Sequence, residues 1–157
     1  MARYLQIMTL VNLVVTWVVA VILGVMSIVV FSQVVYRYVL EAPLPWSEEL
    51  ARYLMVWLVL LGASLGVRHK ALIGMEALVN IFPAWLKRFS VETVLVVSLA
   101  FLAVVVYFGT RLAIMNHSQV SPAMEIPMSI PYAAVPVGGI LMIANALAVA
   151  MERWSRK

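Results

Sequence analysis

The sequence predicts an all-α polytopic membrane protein with four transmembrane helices, and three observations carry that prediction. Of 157 residues, 65% are hydrophobic and only 11% charged, whereas a soluble domain usually carries about 25% charged residues. The apolar residues fall into long uncharged runs, the first extending from Tyr4 to Tyr36. The basic residues lie at the ends of those runs, where membrane orientation requires them. The net charge of +4 is therefore read as membrane placement and not as nucleic-acid binding. One membrane domain spanning residues 1–157 is expected, with almost nothing left for a soluble one.

The first span is expected over about 11–35, ending in the interfacial anchors Tyr36, Arg37 and Tyr38. Its length and the lack of an Ala-x-Ala site argue for a retained helix and not a cleaved signal peptide. The connection Glu41-Ala-Pro-Leu-Pro45 is too rich in proline to be helical throughout. Between Arg52 and Arg68 lie only 15 uncharged residues, which as helix rise about 22 Å, less than the roughly 30 Å of hydrocarbon. The second span must therefore begin near Trp46, over about 46–67, with Ser47 as its N-cap and Glu48 and Glu49 at the positive end of the helix dipole. Arg52 then reaches the headgroups by snorkelling.

Residues 71–82 have helical apolar spacing (Leu72, Met75, Leu78, Val79 and Phe82) interrupted by Glu76 and Asn80. An amphipathic helix lying on the membrane is expected there; a loop or a helix extension is the alternative. Its flanking residues Arg68, Lys70, Lys87 and Arg88 would meet lipid phosphates. The third span is expected over about 89–110 and the fourth over about 131–151, with Pro136 inside it. Eight of the eleven Lys and Arg residues lie in the N-terminus, the 68–88 loop and the C-terminus, and three (Arg37, Arg52 and Arg111) on the other side. The positive-inside rule then places both termini in the cytoplasm, N-in and C-in.

Several activities lack their residues. There is no cysteine and no aspartate, so no disulfide, Cys-ligated metal or Ser-His-Asp triad is available. The two histidines, His69 and His117, are expected at opposite faces, which does not suit a bis-His haem. No cofactor and no enzymatic activity are expected. The polar groups within the spans are read as mainly Gln33, Ser and Thr. Gln33 and Arg37 share one face, and Glu48 and Glu49 pair by spacing with Arg52. Together with Trp46 they form a polar cluster at one membrane face. It reads as interfacial salt bridging, with a docking surface for another subunit or a direct ion site as alternatives. Arg37 is expected to meet Glu48 or Glu49 across the first hairpin. Gly62-x-x-x-Gly66 permits close helix approach, against chance occurrence in an apolar helix.

Two stretches carry a family resemblance: Gln33-Val-Val-Tyr-Arg37-Tyr38, then Pro43-Leu-Pro45-Trp46-Ser47-Glu48-Glu49-Leu50-Ala-Arg52-Tyr53 with Trp57 and Leu61-Gly62-Ala63. Ile126-Pro127-Met128, Tyr132 and Pro136-Val137-Gly138 extend it. The chain resembles the small membrane subunit (DctQ-like) of tripartite ATP-independent periplasmic (TRAP) transporters. It departs from the family after the second span, where Leu72 stands in place of a histidine and Glu76 in place of an aspartate. The resemblance implies a sodium-driven secondary transporter of the bacterial inner membrane for an organic acid. In it a large elevator-type subunit carries substrate, a periplasmic binding protein delivers it near Trp46 to Arg52, and the small subunit braces the large one. From the residues alone, a stand-alone small transporter or channel and a redox-enzyme membrane anchor also stay open.

Overall fold

The computed structural model describes residues 2–69 and 84–155. They form four α-helices: α1 (Ala2–Tyr38), α2 (Pro45–Arg68), α3 (Ala84–Met115) and α4 (Ser129–Ser155). All four are long and apolar enough to cross a membrane. The interfacial helix expected over 71–82 lies outside the described residues, as does Lys70.

Local chemistry sets the helix ends. α1 stops where Glu41 turns left-handed (φ 52), with the Ala42 amide donating to the Tyr36 carbonyl at 3.0 Å. The start of α2 differs from the expected Ser47 cap. Leu44 is the N-cap, extended at φ −99 and ψ 97, and Pro45 follows it in the first turn. The reason lies in the proline. Its locked φ suits the first helical position, its missing N–H costs nothing there, and it forces the preceding residue to be extended. Ser47 is thus already helical, and its hydroxyl donates back to the Leu44 carbonyl at 2.7 Å.

The helices form a layer in the order α1, α2, α4, α3. α4 packs against both α2 and α3, while α1 packs on α2 and touches α4 with its N-terminal half. Small residues make α4 the central member: Ala134 and Ala148 are completely buried. Gly138 and Gly139, neighbours about 100° apart around the helix, open its two flanks. A Cβ at Gly138 would meet the Leu60 Cβ at 2.8 Å and its carbonyl at 3.3 Å; one at Gly139 would meet a Val106 methyl at 2.6 Å. From the other side, Gly109 of α3 admits Val135 in the same way. Backbones approach this closely only where side chains are absent, and that is how helices gain contact in lipid. The outer faces carry large apolar side chains, Trp17, Ile28, Phe31 and Phe101 among them, each about two-thirds exposed. Lipid or another protein, not water, is the solvent such faces require.

Candidate functional site

Two polar constellations stand out, one at the end of the layer bearing the α1–α2 and α3–α4 connections, the other inside the apolar slab.

At the loop end, the segment 116–128 folds back on itself. The Ser121 amide donates to the Ile126 carbonyl at 2.9 Å, the Met128 amide to the Gln119 carbonyl at 2.9 Å, and Val120 bridges Pro127. Glu125 makes the reversal with a left-handed backbone (φ 54). Glu49, from the first turns of α2, pins this loop. Its Oε2 accepts the amides of Ala123 and Met124, both at 2.9 Å, and its Oε1 accepts the Tyr53 hydroxyl. Met128 adds its sulfur 3.3 Å from that hydroxyl. Two successive N–H groups aimed at one carboxylate are an anion-binding concavity closed by the protein's own side chain. Glu49 is buried, and so are Ser47 and Ser121 beside it.

The neighbouring charges are arranged differently. Arg37 Nη1 lies 3.8 Å from Glu48 Oε1, across the first hairpin, with both side chains more than half exposed. That spacing, open to solvent, makes a weak, screened contact. The guanidinium also faces the Tyr38 ring at 5.9 Å. Glu49, expected near Arg52, turns instead to the 123–124 amides, because charge-assisted bonds to unpaired backbone donors outweigh a solvated ion pair. Arg52 and Trp46 are exposed and Gln33 is half-buried. The loop end therefore gathers Gln33, Arg37, Trp46, Glu48, Glu49 and Arg52, but only Glu49 is committed to the inside.

The second constellation was not anticipated from the sequence. Asn12 of α1 and Asn145 of α4 face each other as a reciprocal amide pair, 2.7 and 2.9 Å apart at their two bonds. The remaining hydrogens go to the Met8 carbonyl (2.7 Å) and the Ser64 carbonyl (2.9 Å). Every amide hydrogen is used. Ser64 and Asn145 are fully buried and Asn12 nearly so. One side chain pair thus ties α1, α2 and α4 together, and Tyr4 adds a bond from its hydroxyl to the Ala144 carbonyl. Gln33, Ser and Thr were expected to be the main polar groups at depth; the asparagines correct that. The visible signal was an amide inside an apolar run, which is costly in lipid unless paired.

The small-residue patch lies elsewhere. A Cβ at Gly62 or Gly66 would meet nothing within 4 Å, so among the described residues these glycines bring no helices together. At the opposite end, Arg68, expected at lipid phosphate, pairs with Glu152 at 2.6 Å with both side chains largely covered. Lys87 and Arg88 fall in the first turns of α3, where only the backbone is described.

Chemically, the arrangement holds elements in place and leaves little polar capacity unspent. Among the described residues, no three His, Cys, Asp or Glu side chains converge as a metal site would require, and His69 and His117 sit at opposite ends of the layer.

Comparison with known proteins agrees with this architecture. Residues 26–156 match the family model described as "Tripartite ATP-independent periplasmic transporters, DctQ component". The C4-dicarboxylate TRAP transporter small permease protein DctQ of Rhodobacter capsulatus is 35% identical over 109 residues, covering 68% of this chain and 48% of that protein. Its counterpart in Vibrio cholerae is 28% identical over 158 residues, 85% of this chain and 68% of that protein. The sialic acid TRAP transporter permease protein SiaT of Haemophilus influenzae is 30% identical over 115 residues, 73% of this chain but only 19% of that protein. The chain thus spans about half the length of the Rhodobacter relative and about a fifth of SiaT. With four membrane-crossing helices and a family match over most of its length, the chain belongs to the DctQ family of TRAP transporter components and is a multi-pass protein of the bacterial inner membrane.

Proposed function

We propose that this chain is a non-transporting small subunit that braces the larger, elevator-type membrane subunit of a sodium-driven, binding-protein-dependent transporter for an organic acid. The observation that carries this reading is the use of polar groups at depth. An anion or sodium ion crossing the bilayer needs free polar groups or broken helices at the midplane. Here the buried amides of Asn12 and Asn145 satisfy one another and the Ser64 and Met8 carbonyls. What the chain offers instead is a thin helical layer with two broad apolar faces. Relatives named for C4-dicarboxylate and sialic acid transport support an organic acid as the class of substrate. The match to a small fraction of the SiaT permease supports a partner of much greater length.

In this reading the loop end faces the periplasm and receives the substrate-binding protein near Trp46 to Arg52, and both termini are cytoplasmic, as the basic residues argue. Gln33, Arg37, Glu48, Gly62 and Gly66 contact partners, while Lys70, Lys87 and Arg88 meet lipid phosphate. No catalytic step is assigned to the chain.

Reconstitution in liposomes under a sodium gradient tests the proposal. Uptake is expected only when the chain, the large subunit and the binding protein are all present, and robust uptake by this chain alone overturns it. Reporter fusions at Ser121 and Lys157 check the orientation, with a periplasmic signal expected at the first and a cytoplasmic one at the second.

A further inference from the structure

The α3–α4 flank at the loop end holds a groove. It is an open groove of about 430 Å³, lined by Val105, Phe108, Gly109, Leu112 and Val135, with Arg111 as its one charged wall. Gly109 produces it. At that point α3 and α4 nearly touch, since a Cβ would come within 2.7 Å of a Val135 methyl. Phe108 and Leu112, on either side of the glycine, are exposed and wall the open groove. Phe108 stands edge-on to Tyr107, with ring centroids 5.2 Å apart.

Arg111 lies four residues from the end of α3 at Met115, about 6 Å along the axis, which puts its guanidinium within reach of the headgroup level. It is exposed, and among the described residues no carboxylate lies within ion-pair distance of it, whereas Arg37 has Glu48 and Arg68 has Glu152. An apolar channel closed at its headgroup end by an unneutralised cation has the amphipathic profile of one kind of molecule. We propose that this groove is a phospholipid site: an acyl chain lies on the outer α3–α4 seam, over Gly109, and Arg111 holds the phosphodiester. A guanidinium is suited to this because its fork matches two phosphate oxygens at once. A protein segment seated there would have to supply its own buried anion.

The site does not depend on the transport role, so it is tested on the full chain alone, purified in detergent and titrated with phosphatidylglycerol under native mass spectrometry. Arg111→Gln is expected to weaken binding about five-fold, the loss of one near-surface cation. Arg52→Gln, exposed at the same end but outside the groove, should leave binding unchanged. Leu112→Trp, which fills the channel, should lower binding without removing the charge. Diacylglycerol, with the same tails and no phosphate, should bind wild type weakly, and inorganic phosphate should not compete. Equal losses in the Arg111 and Arg52 variants, or equal retention of phosphatidylglycerol and diacylglycerol, overturn the site. So does a photo-crosslinker at position 112 that captures protein and not lipid in the assembled transporter.

Discussion

Asn145 donates one amide hydrogen to Asn12 and the other to the Ser64 carbonyl, while its oxygen accepts from Asn12. Interhelical hydrogen bonds in membranes average about 0.6 kcal/mol and reach about 1.7, so a residue engaged in three should matter more than most. Asn145→Ala is expected to cost roughly 1–2 kcal/mol, measured by reversible unfolding in bicelles. The double variant Asn12→Leu with Asn145→Leu should cost less than the sum of the singles, because no orphan amide then stays in the apolar slab; strict additivity would show that the two side chains do not interact. Glu49 makes a different prediction. Glu49→Ala should speed hydrogen exchange at the Ala123 and Met124 amides, whereas Tyr53→Phe, which leaves the Oε2 bonds in place, should speed it little. Unchanged exchange in Glu49→Ala would remove the pin. Neither constellation was fully legible in the sequence, for separate reasons. Asn12 and Asn145 are visible singly, but nothing in one sequence links residues 133 positions apart. The partners of Glu49 are backbone amides, which no residue type announces. The Arg37–Glu48 contact was legible because a short proline-containing hairpin leaves its two ends few places to go.

At the level of helices, the spans were legible because composition alone separates lipid from water as solvent. Their ends were less so. α3 reaches from Ala84 to Met115, continuing on both sides of the membrane span expected over 89–110, since polar and basic turns continue a helix beyond the hydrocarbon without violating its hydrogen bonding. α1 has 37 residues and is about 55 Å long, so it tilts within the roughly 30 Å core or projects from it. Glycines distinguish which helix faces are used. Gly138→Leu must displace the α2 backbone at Leu60, and Gly139→Leu must displace Val106 on α3. Both are expected to lower thermal stability in detergent by several degrees or to prevent folding, an overpacking cost of about 1–3 kcal/mol or more. Gly24→Leu, with nothing within 4 Å, should be near neutral. If all three variants melt alike, the close approaches of α4 are not made.

The described helices form a row, α1, α2, α4, α3, with largely apolar outer faces, and α1 crosses far enough over α2 to reach α4 at Asn12. That shape was not legible: four spans of similar hydropathy admit a closed bundle as readily as a row, and the choice rests on where Gly109, Gly138 and Gly139 happen to face. In this arrangement Gly62 and Gly66 are half-buried, with open space where a Cβ would stand. Gly62→Leu and Gly66→Leu should therefore leave the isolated chain as stable as wild type while lowering its co-purification with a large subunit. Loss of stability in the isolated chain would contradict the open space at these positions, and undiminished co-purification would take the partner contact away from them. The row also has a consequence for biogenesis. Chain order is α1, α2, α3, α4, but spatial order places α4 between α2 and α3. Until α4 is in place, α3 lacks the helix against which it packs most extensively among the described residues. The helix that joins α2 to α3 is the fourth of the four, so a chain truncated before residue 129 would keep the α1–α2 pair and leave α3 without its main packing partner.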